Sequence, residues 1–482
     1  MKARKAVIGM FVVIVVIMTF GAEQSYGEPL RRPKGIILLI GDGMGINQIR
    51  SASLYAKKVL GKTFVMDSIL IRGTTSTHSA NAEVTDSAAA ATALYSGHKV
   101  NNGAINVLPD GTEVSGIGHA AKEAGLSVGV LSTSRLTHAT PAGVYSRSDR
   151  RDEENFIAGQ LPLFAPEVAM AGGLGNFIPQ DEEGSKRKDS RNIVEEMKQK
   201  GYEFVEDKSG LGKVDPAGTG KLLGLFSGSH MAYELDRLND AKSASQPSLA
   251  EMTKLALAIL GRNPKGFFVM IEGGRIDHAC HTHDIKASIY DTLAFDDAVR
   301  AALEYRQTHP DVLVLVTADH ETGGLGIGTG TEYVLDLEAL KPIKHSTEYL
   351  YKKILKQPDK LEDILKAGGF DLTGEERMVL TDNPVTAKPS CTRDLCRYGK
   401  KLDTYIASWV QYALGSIESS RAKVGWTSFV HTAQPVVMFA VGPGAEEFQG
   451  SFDNTDIPKK MAELLGLTLG GSAAEPKRQA VR

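Results

Sequence analysis

The chain has 482 residues, a formal net charge of −3 and 42% hydrophobic residues. This near-neutral balance gives no support for a nucleic-acid-specific or membrane surface, and the apolar fraction is ample for a large core. The length would allow two or three ordinary domains, although large α/β units often form one.

The first residues have the pattern of a secretory signal peptide. Lys2, Arg4 and Lys5 precede an uncharged apolar run over 6–20, and Ser25-Tyr26-Gly27 fits a small-x-small cleavage site. The apolar run is short for a bilayer span, which needs about twenty residues. We therefore predict a signal peptide over 1–27 and export to the periplasm or beyond, with an uncleaved anchor as the alternative.

The cysteine content is sparse for an exported chain, with three in all. Cys391 and Cys396 are close enough to bridge a small loop, and the sequence leaves open whether they do. Cys280, between His278 and His281, is interpreted as a filler residue, with a soft metal ligand as the alternative.

Three apolar runs, at 36–40, 267–271 and 312–316, end in acidic or imidazole side chains. Unbroken aliphatic runs are typical of strands buried on both faces of a parallel sheet. Ligands of such sheets bind beyond the carboxyl ends of the strands. Three strands that all end in Asp, Glu or Asp-His therefore predict a metal site.

A serine, Ser87, lies between Asp86 and the alanine run 88–91. Alanine favours helix, so Ser87 is predicted to begin a helix whose unpaired N–H groups can receive an anion. Taken alone, a helix-capping role is the simpler interpretation. The predicted metal site favours a chemical role instead.

The rest of the chain alternates strand-like and helix-like segments, which predicts a doubly wound α/β fold with a mostly parallel sheet and helices on both faces. We predict a catalytic domain over 28–469, a helical insertion over the sheet rim at about 331–424 and a flexible tail over 470–482. Further strands are predicted at 126–132, 168–170 and 436–441, and helices at 248–260, 284–308 and 456–465.

The predicted ligands suit zinc, which binds carboxylates and neutral imidazoles, whereas magnesium prefers oxygen ligands alone. Asp277 and His281 are one helical turn apart, and Asp319 and His320 are adjacent after a strand. Two zinc ions can clamp the attacking and leaving oxygens of a phosphoryl transfer, and metal coordination can activate a serine hydroxyl. An arginine would hold the phosphoryl oxygens through its planar fork.

Six motifs follow one another along the chain: GDGMG at 41–45, VTDSAA at 84–89, HATP at 138–141, EGGRIDH at 272–278, TADH at 317–320 and HT at 431–432. With these motifs in this order, the chain resembles the alkaline phosphatases from residue 35 to about 467, except in the divergent insertion.

The resemblance implies hydrolysis of phosphate monoesters through a phosphoserine at Ser87, with two zinc ions and one magnesium ion. The implied ligands are Asp277, His281 and His431 for the first zinc, Asp42, Asp319 and His320 for the second, and Asp42, Thr140 and Glu272 for magnesium. Arg151 is chosen as the phosphate-binding arginine, with Arg150 as the nearest rival.

Other histidines receive supporting or structural assignments. His138 and His278, where some relatives carry Asp and Lys, are expected to support the ligands and to reach phosphate through water. His283 is expected to be a solvated helix residue, with an approach to the first zinc as the alternative. A structural role is expected for His78, His98, His119, His230, His309 and His345.

The expected partners are small phosphate monoesters, and relatives suggest a homodimer. The alternative functions are a phosphodiesterase or sulfatase of the same superfamily, or a non-catalytic zinc-binding protein. Diesterases of that kind generally carry threonine, and sulfatases a modified cysteine, where Ser87 stands.

Overall fold

A ten-stranded sheet lies at the centre of the computed structural model, which describes residues 32–381 and 409–470. The predicted signal peptide, the Cys391–Cys396 pair and most of the predicted tail lie outside these residues. The strands, in chain order, are β1 (Gly35–Gly41), β2 (Ile71–Ser76), β3 (Ser127–Arg135), β4 (Val168–Gly172), β5 (Glu203–Val205), β6 (Leu222–Leu225), β7 (Phe267–Gly273), β8 (Val312–Ala318), β9 (Glu321–Thr322), β10 (Gly326–Ile327), β11 (Val424–Gly425), β12 (His431–Thr432), β13 (Val436–Val441) and β14 (Gly450–Asp453).

The strand order of the main sheet is β14-β2-β13-β8-β1-β7-β3-β4-β6-β5. Strand β13 runs antiparallel to both of its neighbours, β2 and β8, and the other neighbouring strands of the sheet pair in parallel. Two small antiparallel pairs, β10 with β11 and β9 with β12, lie outside the sheet. The prediction of a mostly parallel sheet is confirmed.

The central strands are buried on both faces because their side chains alternate between two hydrophobic cores. In β1, Ile36 and Leu38 belong to the core on one face, and Ile37 and Leu39 belong to the core on the other. All four are inaccessible to solvent. An unbroken aliphatic run is therefore the pattern that this position in the sheet requires.

Helices cover both faces, as predicted. They are α1 (Ile46–Tyr55), α2 (Ser87–Ser96), α3 (Ile117–Glu123), α4 (Ala139–Tyr145), α5 (Glu154–Ala158), α6 (Leu161–Phe164), α7 (Ile193–Gln199), α8 (Lys208–Leu211), α9 (Glu234–Asn239), α10 (Leu249–Leu260), α11 (Arg275–His281), α12 (Ile285–Thr308), α13 (Thr347–Lys356), α14 (Leu361–Ala367), α15 (Gly374–Thr381), α16 (Trp409–Ala422) and α17 (Asp456–Leu465). No helix within the described ranges is long and apolar enough to cross a bilayer.

The helical content predicted for the insertion is found in α13 to α16. Apolar side chains of these helices, such as Leu350 and Leu414, form a third hydrophobic cluster. This cluster also contains Tyr55 of α1 and Ile289 of α12, so the insertion packs against helices that flank the site-bearing strands. The domain boundaries at 28–469 and 331–424 remain predictions.

Candidate active site

Four neighbouring parallel strands, β8, β1, β7 and β3, bring the predicted site residues together at one edge of the sheet. Asp42 directly follows β1, and Asp319 directly follows β8. In the strand register, Ile40 lies beside Thr317 on one side and beside Glu272 of β7 on the other. The three carboxylates therefore start from adjacent positions, as ligands at the carboxyl edge of a parallel sheet do.

The first cluster contains Asp277, His281 and His431, whose ligand atoms lie within 4.8 Å of one another. The Nε2 atoms of His281 and His431 lie 3.2 and 3.6 Å from the Asp277 carboxylate. Their Nδ1 atoms contact backbone carbonyls, that of Phe429 at 2.5 Å and that of Thr85 at 2.7 Å. Because a carbonyl can only accept, Nδ1 carries the proton and Nε2 presents a lone pair, as metal-binding histidines require.

The second cluster contains Asp42, Asp319 and His320, all inaccessible to solvent. His320 Nε2 lies 3.2 Å from Asp319 Oδ2 and 3.6 Å from Asp42 Oδ1. Asp319 Oδ1 accepts the backbone N–H groups of Gly43 and His320 at 3.1 and 2.9 Å. These backbone donors fix the orientation of the Asp319 carboxylate, so that its Oδ2 faces the cluster.

Glycine is required at position 43 for this arrangement. Its φ is +71°, and an added Cβ would lie 2.8 Å from Cα of Asp277 and 2.8 Å from Thr322 Oγ1. The GDGMG motif therefore turns the chain after β1 and lets the two acidic clusters approach each other.

The third cluster contains Asp42, His138 and Glu272, so Asp42 is shared with the second cluster. His138 Nδ1 lies 3.9 Å from Asp42 Oδ2, and its Nε2 lies 3.0 Å from Arg151 Nη2. Arginine can only donate, so the neutral His138 ring carries its proton on Nδ1, facing Asp42. In this arrangement His138 turns an N–H rather than a lone pair toward Asp42, and at 3.9 Å this N–H makes no hydrogen bond to a described residue. Thr140, in the first turn of α4, is fully buried.

Ser87 occupies the first position of α2, and the helix cap is Asp86, whose Oδ1 accepts the N–H of Ala89 at 3.0 Å. The capping interpretation of Ser87 is therefore wrong, since the preceding residue performs that role. Ser87 is 2% exposed, and its Oγ lies 3.2 Å from His320 Nε2. The hydroxyl faces the second cluster at the N-terminus of a helix.

The two candidate arginines have different surroundings. Arg151 Nη1 donates to Asp86 Oδ2 at 3.0 Å, which links it to the cap beside Ser87. Arg150 instead pairs with Asp152 at 2.9 Å, and its side chain is 62% exposed. Only Arg151 of this pair reaches the cluster around Ser87.

A group of three imidazoles borders the third cluster. The rings of His138 and His278 lie 5.5 Å apart, and that of His230 lies 4.2 Å from His278 and 5.6 Å from His138. We predicted only a structural role for His230, and its position beside the third cluster was not predicted. A signal was present in the sequence, because a short apolar run at 222–226 leads through Ser227 to His230, like the strand ends described above.

His283 differs from its prediction as a solvated helix residue. It is 6% exposed, has φ +57°, and stacks on Phe429 and Trp426 with ring centroids 3.9 and 4.9 Å away. Its Nε2 contacts the carbonyl of Ser428 at 2.7 Å. His283 therefore holds the loop that leads to His431.

The electrostatics of the three clusters favour the binding of positive charge. Burial and the neighbouring carboxylates raise the pKa of Asp42 and raise that of Asp319 to about 8, and burial raises the pKa of Glu272. Burial lowers the pKa of His320, and lowers that of His431 to about 4, so these rings are neutral at pH 7. Carboxylates and neutral imidazoles form a donor set for divalent metal ions.

Several buried ligand atoms at this site make no hydrogen bond within the described part of the chain. They are both carboxylate oxygens of Asp42, Oδ2 of Asp319 and Oε1 of Glu272. Buried polar atoms without a partner are rare and costly. Their convergence at three clusters fits a set of bound cations.

Comparisons with known proteins agree with this geometry. The family model described as alkaline phosphatase matches residues 33–467. Alkaline phosphatase 3 of Bacillus subtilis is 34% identical over 90% of this chain and 89% of its own length. The repressible alkaline phosphatase of Saccharomyces cerevisiae is 31% identical over 96% of this chain and 86% of its own length.

Solved structures give the same result. The alkaline phosphatase of Thermus thermophilus is 30% identical with a TM-score of 0.80, over 95% of this chain and 96% of that one. The cold-active enzyme of the psychrophile Shewanella sp. is 32% identical with a TM-score of 0.74, over 89% of this chain and 99% of that one. The chain therefore belongs to the alkaline phosphatase family and is a phosphoric monoester hydrolase.

Proposed function

We propose that this enzyme hydrolyses phosphate monoesters through a covalent phosphoserine at Ser87, with two zinc ions and one magnesium ion as cofactors. The observation that carries the proposal is the Ser87 hydroxyl, which lies at a helix N-terminus, 3.2 Å from His320 of the second cluster. Fixed donors around a buried hydroxyl favour a reacting group rather than a structural one.

The zinc ligands follow the first two clusters, and the magnesium ligands take Thr140 where the third cluster has His138. The first zinc would be held by Asp277, His281 and His431, and the second by Asp42, Asp319 and His320. Asp42, Thr140 and Glu272 would hold magnesium, because they supply only oxygen ligands. When bound, the zinc pair would stabilise the negative charge on the attacking and departing oxygens.

A related structure supports magnesium as a cofactor in this family. A histidine-to-aspartate mutant of the alkaline phosphatase from the Antarctic bacterium TAB5 was solved with Mg bound in its M3 site. In our chain, His138 would line the site beside Asp42, and His278 would extend this polar wall.

The reaction would proceed in two steps at Ser87. Its Oγ bonds to phosphorus as the ester oxygen leaves with a proton as an alcohol, and water then cleaves the phosphoserine to release inorganic phosphate and restore the hydroxyl. Arg151 would hold non-bridging oxygens through its guanidinium fork. The Asp86 carboxylate keeps that fork beside Ser87.

We also propose export to the periplasm or beyond after removal of residues 1–27, and a homodimer in solution. The charged start and apolar run of the sequence support export, and the homodimer is what the family resemblance implies.

Substrate comparison tests the reaction class. The enzyme reconstituted with zinc and magnesium should hydrolyse nitrophenyl phosphate far faster than bis-nitrophenyl phosphate or nitrophenyl sulfate. A chelator should abolish this activity, and zinc plus magnesium should restore it better than either ion alone. Faster cleavage of the diester or of the sulfate would favour the alternative functions, and full recovery with magnesium alone would contradict the zinc pair.

A further inference from the structure

Two serines of β3 face a magnesium ligand of the neighbouring strand. Alternate residues of a strand point to the same face, so Ser132 and Ser134 share a face and Thr133 points the other way. Ser132 is paired in register with Glu272 of β7. Both serines and Glu272 are inaccessible to solvent.

Both serine hydroxyls contact the same oxygen of the carboxylate. Ser132 Oγ hydrogen-bonds to Glu272 Oε2, and Ser134 Oγ lies 2.9 Å from the same atom. Ser132 Oγ also accepts the backbone N–H of Ser134 at 2.7 Å. A hydroxyl has one proton, so Ser132 accepts from the backbone and gives its proton to the carboxylate.

The two carboxylate oxygens of Glu272 have different surroundings, and this difference indicates a bound ligand. A buried carboxylate with a purely structural role gains most when each oxygen receives a donor. Here Oε2 receives both hydroxyls, and Oε1 makes no hydrogen bond to any described residue. The arrangement fixes the orientation of the carboxylate and keeps one oxygen for another partner.

We propose that Ser132 and Ser134 are positioning residues that orient Glu272 so that its Oε1 binds magnesium. This inference rests on the proposed function, in which Glu272 is a magnesium ligand. Outer groups that orient a metal ligand commonly change metal affinity by about 10- to 100-fold when they are removed.

The test measures magnesium binding without turnover. Zinc-loaded wild-type enzyme, Ser132→Ala, Ser134→Ala and the double variant are titrated with magnesium, and binding is followed by calorimetry and by the rise in unfolding temperature. Thr133→Val is the matched control, because it removes a hydroxyl from the opposite face of the same strand, one that makes no hydrogen bond to a described residue.

We expect the magnesium dissociation constant to rise by about 10- to 100-fold in the double variant, with wild-type zinc content and with no change in Thr133→Val. Activity at saturating magnesium should recover toward the wild-type value. Unfolding temperatures without magnesium separate this effect from a general loss of stability.

Three results would overturn the inference. Wild-type magnesium affinity in the double variant would remove the positioning role. An equal loss of zinc and magnesium would make the serines structural. An absence of magnesium binding by the wild-type enzyme would remove both this inference and the magnesium assignment, while the serine chemistry of Ser87 would stand or fall separately.

Discussion

Arg151 is held between the cap of the helix that begins at Ser87 and the imidazole of His138. Burial disfavours its charge, but the carboxylates of Asp86, Asp42 and Asp277 outweigh burial and raise its pKa. The side chain is therefore a permanent, pre-oriented cation at the site. Such a group binds a phosphoryl oxygen pair at low entropic cost.

Replacing this cation should weaken phosphate binding. We expect Arg151→Ala to raise the inhibition constant of inorganic phosphate by about 10- to 100-fold, because charged hydrogen bonds contribute about 1.5–3 kcal/mol. Arg150→Ala is the matched control and should have little effect, since that side chain is exposed. A larger loss of phosphate affinity in Arg150→Ala than in Arg151→Ala would assign phosphate binding to Arg150 instead.

Single site residues could be predicted where a local sequence pattern indicates them. Asp42, Asp319 and His320 follow strands whose apolar runs are visible in the sequence. His431 follows no such run, and only the family resemblance suggested it. The contacts of Ser132 and Ser134 with Glu272 depend on the register of two strands that are distant in sequence, so no local pattern could reveal them.

At the scale of elements, a partly buried ion pair joins the insertion to the helix that carries Asp277. Arg275, at the start of α11, donates to Glu348 of α13 at 2.8 Å, and its guanidinium lies 3.7 Å from the ring centroid of Tyr233. Burial alone would raise the pKa of Glu348, but Arg275 and Lys352 outweigh it and lower the pKa to about 2.

Removing this carboxylate should destabilise the enzyme in a pH-dependent way. A lowered pKa stabilises the fold above the unfolded value of 4.5, and the effect is lost as the pH falls toward about 2. We expect Glu348→Gln to reduce the free energy of unfolding by about 2–3 kcal/mol at pH 7, and by progressively less below pH 4.5. Urea unfolding at several pH values measures this.

Glu338→Gln provides the control, because Glu338 pairs with Lys341 at 3.1 Å on an exposed surface. Such pairs contribute about 0–1 kcal/mol. Equal effects of the two variants at pH 7, or a constant effect of Glu348→Gln down to pH 3, would contradict the account.

Most elements could be predicted from local signals. Helix α10 begins one residue after Ser248, which forms a capping box with Glu251 and so gives the sequence a strong start signal. The antiparallel direction of β13 could not be predicted, because strand direction depends on the path of the connection. That path follows the insertion and the loop through His431.

At the scale of the whole molecule, the fold brings four carboxylates into one buried region: Asp42, Glu272, Asp277 and Asp319. Asp277 is the exception in its pKa, which His281 and His431 hold well below the usual value despite burial. The others have raised pKa values, so the protein without cations must keep protons on groups that are ionised in the unfolded chain.

This proton linkage predicts how the metal-stripped enzyme responds to pH. A carboxyl whose folded pKa is raised binds a proton that the unfolded chain lacks, so stability falls as the pH rises toward the folded pKa. With Asp319 at about 8, we expect the metal-stripped enzyme to lose up to about 1.4 kcal/mol of unfolding free energy between pH 7 and pH 8.

Two other groups titrate in or near this window. Despite burial, Asp277 raises the pKa of His281, which adds to the loss as the pH rises, whereas Lys286, with its pKa lowered by burial to about 8, opposes it. Comparison with Asp319→Asn therefore identifies the part of the loss that belongs to Asp319. Asp319→Asn should flatten the slope. A free energy of unfolding that stays constant or rises from pH 7 to pH 8 in the metal-stripped wild-type enzyme would contradict the raised pKa values of these carboxyl groups.

Trapping the phosphoenzyme tests the central claim most directly. The metal-loaded enzyme is mixed with a phosphate monoester, quenched in acid within the first turnovers, digested and mapped by mass spectrometry. We expect the mass of one phosphoryl group on Ser87, and no phosphopeptide in Ser87→Ala, which should keep near-normal metal content while losing nearly all turnover. A phosphoryl group on another residue, or wild-type turnover by Ser87→Ala, would contradict the account.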